Sequence, residues 1–384
     1  MRKRINIIFC IIACLLTIGC REDDIVVPAE YEIIDNAIPV AGSKIEGFYL
    51  VNEGNMGSNK CTLDYFDYPT STYIRNIYAD RNPNVIKELG DVGNDIGIYG
   101  RKMYVVVNCS HKVEILDART ARRLGQVNIN NCRYVRFYKG KAYVSSYVGP
   151  VSIDPKSPLG EVCEIDTTTF SITRRVTVGY QPEEFEFVDD KMYVANSGGY
   201  RVPEYDDRVS VVDMSSFTLE RHIKVGINLH RMCRDSANRL WVSSRGDYES
   251  TPSRLFLLQK DSNGNMEVAK SFDIACSNMA IHADRLYFYA TEWNNYTARN
   301  EITYGIIDTT SLVQISKNFI TDGTEKSIVI PYGIAIHPET GDIYVTDARN
   351  YVSSGTLFCY SPDGVLRWSV RTGDIPAHIA FLHK

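Results

Sequence analysis

One pattern of hydrophobic and polar positions recurs seven times along this chain. A short apolar strand with period-two alternation carries an aromatic residue and ends at a polar residue, as in KMYVANS and GDIYVTD. The aromatic residues that align the seven copies are Tyr49, Tyr104, Tyr143, Tyr193, Trp241, Tyr287 and Tyr344. Their spacings run from 39 to 57 residues, which brackets the length of about 40–50 residues typical of four-stranded propeller blades.

Three further strands accompany each copy in a fixed order. An apolar strand precedes it, as in PEEFEFVDD, a third strand closes on aspartate and a turn, as in VSVVDMSS, and a fourth ends on glycine, as in LERHIKVG. Strands this short, with turn signals between them, predict an all-β chain with hardly any helix.

The two ends of the repeat region complement each other. The first copy, KIEGFYLVN, lacks a preceding strand, whereas the C-terminal PAHIAFLHK resembles a first strand without the other three. Joining them leaves no open sheet edge. The sequence therefore predicts a seven-bladed β-propeller with four-stranded blades, in which the C-terminal strand closes the first blade. The alternative, a β-helix or open solenoid, would need terminal caps and a shorter repeat.

Function is expected at the end of the ring where the second strands lead into the third. The loops there are long and differ in sequence, as in NSGGYRVPEYDD and TEWNNYTARNE, and such loops on a rigid scaffold commonly carry function. Their aromatic and cationic side chains suit a large, partly apolar ligand with an anionic group. The predicted ligand-binding residues are Tyr147, Tyr200, Tyr205, Arg245, Tyr248, Trp293, Tyr296, Tyr332, Arg349 and Tyr351. The alternative is that these tyrosines pack against one another and order the loops.

Four polar residues that follow second strands are candidate metal ligands. Oxygen atoms of Glu53, Asn108, Asn196 and Asp347 suit a calcium ion on the propeller axis. Asn and Asp also end strands because they tolerate turn geometry, which explains the same residues without a metal. The sequence contains no G-x-S-x-G, H-E-x-x-H or P-loop motif, so neither a catalytic residue nor a cofactor is predicted.

The N-terminus predicts export and a lipid anchor. A basic MRKR segment precedes an apolar stretch that is too short for a membrane span, and LTIGC resembles a bacterial lipobox. We expect residues 1–19 to be a signal peptide, Cys20 to be lipidated, and residues 20–43 to tether the propeller domain, residues 44–384, to the outer membrane at the cell surface. The alternative is an ordinary secreted protein cleaved near residue 20.

The net charge and the spacing of the cysteines argue against some partners and some kinds of structural site. A net charge of -5 without a basic stripe argues against a nucleic-acid partner. Seven of the ten cysteines lie beyond Cys20 and form no C-x-x-C pair, so neither a zinc ribbon nor a regular disulfide framework is indicated. We interpret them mainly as small buried side chains, although one or two disulfides remain open.

The blade motifs KMYVANS, RVSVVDMSS and GEVCEIDTTT resemble those of the YncE-like propellers, relatives of NHL repeats, over residues 44–384. The segments LVNEGNMGS (50–58) and YVVVNCSHKVEILD (104–117) resemble the BtuG group of Bacteroidetes surface lipoproteins. That resemblance implies capture of a corrinoid, a vitamin B12-like nutrient, for a TonB-dependent outer-membrane transporter. Two alternatives stay open: a propeller that binds a glycan or a protein, and a calcium-dependent lactonase or lyase.

Overall fold

The computed structural model describes residues 28–37, 42–85, 89–294 and 299–384. These residues form seven antiparallel sheets, and the innermost strands of neighbouring sheets contact each other around a complete ring. The predicted signal peptide, Cys20 and Tyr296 lie outside the described residues. The all-β, seven-bladed prediction is confirmed.

The first blade is closed by the C-terminal strand, as predicted. It consists of β1 (Glu30–Ile33), β2 (Ile45–Asn52), β3 (Thr62–Asp67), β4 (Thr72–Arg75) and β29 (Pro376–His383). In this sheet β29 pairs with β2 and is innermost. A short helix, α1 (Ile77–Arg81), follows β4.

The other six blades each contain four consecutive strands, with the first strand innermost. The second blade consists of β5 (Gly93–Tyr99), β6 (Lys102–Val107), β7 (Lys112–Asp117) and β8 (Arg123–Asn128). The third consists of β9 (Cys132–Tyr138), β10 (Lys141–Ser146), β11 (Leu159–Asp166) and β12 (Ile172–Tyr180). The fourth consists of β13 (Pro182–Val188), β14 (Lys191–Asn196), β15 (Arg208–Asp213) and β16 (Thr218–Lys224).

The remaining three blades repeat this order. The fifth consists of β17 (Leu229–Arg234), β18 (Leu240–Ser244), β19 (Arg254–Lys260) and β20 (Met266–Phe272). The sixth consists of β21 (Asn278–His282), β22 (Arg285–Asn294), β23 (Arg299–Asp308) and β24 (Val313–Ser316). The seventh consists of β25 (Pro331–Ile336), β26 (Ile343–Asp347), β27 (Ser354–Tyr360) and β28 (Leu366–Asp374).

Strand β1 lies in a segment that the sequence assigned to the tether. It pairs antiparallel with β4 from Glu30 opposite Arg75 to Ile33 opposite Thr72, and Ile34 beyond it is buried in the core. The first blade therefore has a fifth, outermost strand. Its own four side chains are exposed, which explains why the sequence lacks the alternation of a half-buried strand.

The repeated aromatic residue of the second strand fills the space between blades. Tyr49 packs with second-blade residues, Tyr104 with the third blade and Tyr344 with the first, and all seven aligned aromatics are buried. Alternate residues of the same strand face the preceding blade, so that the core of the described chain consists mainly of seven clusters between neighbouring blades. Period-two alternation between two buried faces produces this arrangement.

Aspartates cap the turns that follow the third strands. The carboxylate of Asp166 accepts the backbone N–H groups of Thr168 (2.8 Å) and Thr169 (2.9 Å), and Asp213 does the same for Ser215 and Ser216. These side chains replace the backbone acceptors that a tight turn cannot supply.

Two further properties concern the described residues as a group. None of the helices among them is long and apolar enough to cross a membrane. The seven cysteines within them are free thiols, and five are buried: Cys61, Cys132, Cys163, Cys276 and Cys359.

Candidate functional site

The long loops and the connections between blades meet at one end of the ring, as predicted. The Glu53 N–H donates to the Ile375 carbonyl (2.9 Å) where the first blade closes, and the Tyr200 N–H donates to the Gln181 side chain (2.7 Å) where the third blade leads into the fourth. Together these segments surround an open cavity of about 930 Å³ at the mouth of the central channel.

Tyrosines form the rim of the cavity. Tyr200, Tyr248 and Tyr351 line it with exposed fractions of 37%, 72% and 43%. Tyr332 lines the wall below Tyr351, with an edge-to-face contact at 6.0 Å between ring centroids. The rim therefore presents flat apolar surface, part of it braced by neighbouring rings.

The floor of the cavity is formed by residues in β-bulges of the innermost strands. In four blades the pairing between the first and second strands shifts register, and two successive residues of the first strand lie within the shift. These residues are Arg133–Tyr134, Glu183–Glu184, His230–Arg231 and Tyr332–Gly333. In three of these blades a hydroxyl of the second strand accepts an N–H group that the shift releases. The bonds run from Tyr134 to Ser145 (3.2 Å), from Arg231 to Ser243 (3.0 Å) and from Gly333 to Thr346 (2.7 Å). Bulges of this kind redirect side chains and are frequent beside functional sites.

A buried carboxylate holds one side of the floor. Glu183 accepts two bonds from Arg133, from Nε (3.1 Å) and Nη2 (2.9 Å), and one from the Tyr147 hydroxyl (2.6 Å). The Nη1 atom of Arg245 lies 3.5 Å from Oε1 of Glu183, the oxygen that also accepts the Tyr147 hydroxyl. Burial alone would raise the pKa of Glu183, but the two guanidiniums and the hydroxyl hold it below its usual value. Glu183 is therefore ionised at neutral pH.

Arg231 lies at the centre of the other side. Its Nη1 atom donates to Glu184 (3.0 Å) and lies 3.2 Å from both the Tyr134 hydroxyl and Nε2 of His378. Burial and the nearby arginines lower the pKa of His378, and that of His230, well below its usual value. Both imidazoles are therefore neutral, and the floor gains no charge from them.

Glu53 stands in the cavity wall with a different environment. Its carboxylate accepts the Tyr332 hydroxyl (2.8 Å). Burial raises the pKa of Glu53 to about 7, although that bond and the charges of Arg133 and Arg231 act in the opposite direction.

The structure brings half of the predicted ligand-binding residues into the cavity: Tyr200, Arg245, Tyr248, Tyr332 and Tyr351. Tyr147 is buried beneath it and bonds to Glu183. Tyr205 and Arg349 lie on loops of the same end, outside the lining. Trp293 is on β22, but its side chain lies outside the described residues.

The four candidate metal ligands are not gathered at one point. Glu53 and Asn108 line the cavity, whereas Asn196 and Asp347 do not. Asn196 accepts the Gly179 N–H (3.1 Å), and Asp347 accepts the N–H groups of Ile330 and Arg349 (both 2.8 Å). Among the described residues no group of three or more His, Cys, Asp or Glu is placed to hold a metal ion.

Sequence reasoning identified Arg245 but missed the rest of the charged floor. Arg133, Tyr134, Arg231 and the two glutamates lie on strands identified only by their apolar positions. The available signal was the pair of charged residues in PEEFEFVDD, which interrupts the alternation expected for a buried strand.

Fold and site together define this protein as a seven-bladed β-propeller with a tyrosine-rimmed, arginine-floored cavity at the loop end. Residues 46–360 match the model of a family described as a domain of unknown function, DUF5074. The chain belongs to that family. A search of curated protein sequences found no match.

Solved structures share the fold at low identity. A hypothetical selenium-binding protein from Sulfolobus tokodaii is 10% identical with a TM-score of 0.63, and the alignment covers 90% of this chain and 96% of that one. A quinonprotein alcohol dehydrogenase-like protein from Bacteroides thetaiotaomicron is 16% identical with a TM-score of 0.55, covering 89% and 79%. Similarity at this level concerns the fold alone.

Proposed function

We propose that this propeller binds a large, partly apolar ligand in its loop-end cavity, and that the ligand is a corrinoid. The cavity itself carries the proposal. Its volume of about 930 Å³ lies near the top of the range of about 300–1,000 Å³ found for ligand pockets. It combines aromatic surface at the rim with a few charged groups at the floor, the usual composition of such pockets.

The rim supports a ligand with flat or apolar faces. Covering the exposed ring of Tyr248 with a ligand would be favourable, because it removes apolar surface from water. Tyr351 already contacts the partly buried Tyr332 ring, so less side-chain freedom is lost when a ligand stacks on it.

The choice of a corrinoid rests on the resemblance to the BtuG group. The segment LVNEGNMGS, which carries part of that resemblance, contributes Glu53, Gly54 and Met56 to the cavity lining. The segment that resembles the BtuG group therefore lies in the wall of this cavity, which supports the choice of ligand.

The proposal includes a cellular context. A chain lipidated at Cys20 would stand at the cell surface and pass its ligand to a TonB-dependent transporter. Replacing Cys20 by alanine is expected to release the protein from the outer-membrane fraction, and surface proteolysis of intact cells measures the exposure of the unmodified chain. Retention of the Cys20→Ala protein in the membrane fraction would contradict lipid anchoring.

The direct test is calorimetric titration with cyanocobalamin, with and without calcium. We expect calcium-independent binding that weakens about tenfold when Tyr248 or Tyr351 becomes alanine, since aromatic contacts of this kind carry much of a binding energy. Tyr31→Ala is the matched control, because Tyr31 is also exposed but lies on the outermost strand β1.

Each outcome of this titration separates the proposed functions. Absence of heat with cyanocobalamin would exclude the corrinoid, and a glycan array then tests sugars, which stack on tyrosines equally well. Binding that requires calcium would favour the metal-dependent alternative. Equal losses from Tyr31→Ala and Tyr248→Ala would place the ligand elsewhere.

A further inference from the structure

Three arginines converge on the cavity floor. Arg133, Arg231 and Arg245 all line the cavity, and their side chains are 15%, 8% and 27% exposed. The guanidiniums of Arg133 and Arg231 both lie against the Tyr134 ring, at 5.5 and 5.6 Å from its centroid. The Tyr134 ring thus lies beside both guanidiniums below the opening of the cavity.

The carboxylates beneath the floor do not balance these cations one for one. Glu183 is shared, because Arg133 bonds to one of its oxygens and Arg245 approaches the other at 3.5 Å. Glu184 lies 3.0 Å from Arg231 and 3.6 Å from Arg136, whose nearer partner is Asp95 at 3.0 Å. Two carboxylates therefore face the three arginines that line the cavity. Of the three arginines that line the cavity, Arg245 has the longest contact with a carboxylate and the most exposed side chain.

Arg231 also has an unused donor. Its Nη1 atom is surrounded by acceptors, whereas its Nε atom is buried without a hydrogen-bond partner among the described residues. A buried donor that lacks an acceptor destabilises the folded protein. An oxygen atom of a ligand that reached the floor would remove that destabilisation.

The acidic groups that face the cavity do not cancel the floor. Glu249 and Glu292 are exposed. Glu53 is bonded to Tyr332, and because burial raises its pKa to about 7, its carboxyl is largely protonated below neutral pH. His230 and His378, which also lie at the floor, are neutral because burial and nearby arginines lower their pKa values.

We infer that the cavity floor is an anion subsite, at which Arg133, Arg231 and Arg245 receive one carboxylate or phosphate group of the bound ligand. Arginine suits both anions because its planar fork of donors matches two oxygens at once. This inference rests on the proposed function in one respect only, namely that the cavity is where the ligand binds. It does not require a corrinoid.

The experiment titrates the purified protein with methyl phosphate and, separately, with acetate, and follows heat at low and high salt. Either anion is expected to bind, with affinity that falls as salt rises. Arg245→Gln is expected to lower that affinity about tenfold, the loss of one charge-assisted hydrogen bond. Arg349→Gln is the matched control, an exposed arginine at the same end but outside the cavity lining.

Arg245 is the residue of choice because its side chain makes only one long contact with Glu183. A thermal unfolding scan verifies that Arg245→Gln folds, and Arg245→Lys, which keeps the charge, is expected to lose less affinity than Arg245→Gln. Preference for methyl phosphate would indicate a phosphate ester in the ligand, and preference for acetate a carboxylate.

The results separate the two proposals. Anion binding that depends on Arg245, without any binding of cyanocobalamin, would retain the subsite and remove the corrinoid. Cyanocobalamin binding with no heat from either anion would overturn the subsite and retain the proposed function. Equal effects of Arg245→Gln and Arg349→Gln would also overturn the subsite.

Discussion

At the scale of single residues, two glutamates of this site have opposite ionisation behaviour. Glu183 is fully buried yet charged, because Arg133, Arg245 and the Tyr147 hydroxyl surround it. Glu53 has one hydroxyl partner, and burial raises its pKa to about 7. Neighbours rather than burial alone therefore decide the direction in which the pKa of each carboxyl group shifts.

The raised pKa of Glu53 predicts a pH-dependent effect of Glu53→Gln on stability. Because the folded-state pKa of about 7 exceeds the ordinary value of 4.5, the folded protein loses stability as pH rises from about 4.5 to 7 and stays penalised above that. Glutamine mimics the protonated carboxyl. The variant is therefore expected to melt at a higher temperature than the unmodified protein at pH 8, with little difference at pH 5.

Thermal unfolding at the two pH values measures this effect, and Glu249→Gln is the control. Glu249 also lines the cavity but is exposed, so its replacement should shift the melting temperature little at either pH. A Glu53→Gln shift of the same size at pH 5 and pH 8 would contradict the assignment.

At the scale of strands, the floor of the site depends on the register shifts between innermost and second strands. In three of the four blades a serine or threonine of the second strand accepts a backbone N–H that the shift frees. Thr346 also donates to the Pro376 carbonyl (2.6 Å), which ties the seventh blade to the closing strand β29. A single hydroxyl thus supports both a bulge and a contact between blades.

Thr346→Val removes that hydroxyl while keeping the shape of the side chain. Two buried backbone groups lose their partner, so we expect a loss of about 2 kcal/mol or more in the free energy of unfolding. Urea denaturation measures it. Thr310→Val, at an exposed turn position, should change stability by less than about 0.5 kcal/mol. A similar loss in both variants would show that the hydroxyl does not support the bulge.

The same bulges set the limit of what the sequence could predict. Second strands alternate strictly between two buried faces, so their aromatic residues located all seven blades. Within a bulge two successive residues do not follow that alternation. The sequence pattern therefore did not identify Arg133 and Arg231 as residues of the site. Tyr248 and Tyr351 were found because they follow second strands. Tyr147 follows one too, but its hydroxyl reaches Glu183 and its ring is buried.

At the scale of the whole molecule, the ring is closed by pairing between distant parts of the chain. Strand β29 runs antiparallel to β2, from Ile45 opposite His383 to Asn52 opposite Pro376. The cluster between the seventh and first blades then joins Tyr344 to Phe48. Without β29, the first blade would lose its innermost strand, and the contacts of β29 with β25 and β5 would be lost with it.

Deleting residues 376–384 is therefore expected to abolish cooperative thermal unfolding. Deleting residues 28–33 instead removes an outermost strand whose own side chains are exposed, and should leave a cooperative transition at a slightly lower temperature. Differential scanning calorimetry of the two truncated proteins measures the difference. Equal behaviour of the two deletions would show that β29 is not required for closure.

The extra strand β1 has a mechanical consequence. Tension applied through the segment that precedes residue 28 reaches β1 first, and four residue pairs with β4 must separate before the load passes on. The next points of resistance are the buried Ile34 side chain and the bonds that join Ile34 and Ala37 to Ser71. The bonds from Ser43 and the Lys44 N–H to Glu339 of the seventh blade come after them. Only after those bonds rupture is β2 pulled. Under tension, β1 therefore detaches from β4 before β2 separates from β29, and the cavity stays intact.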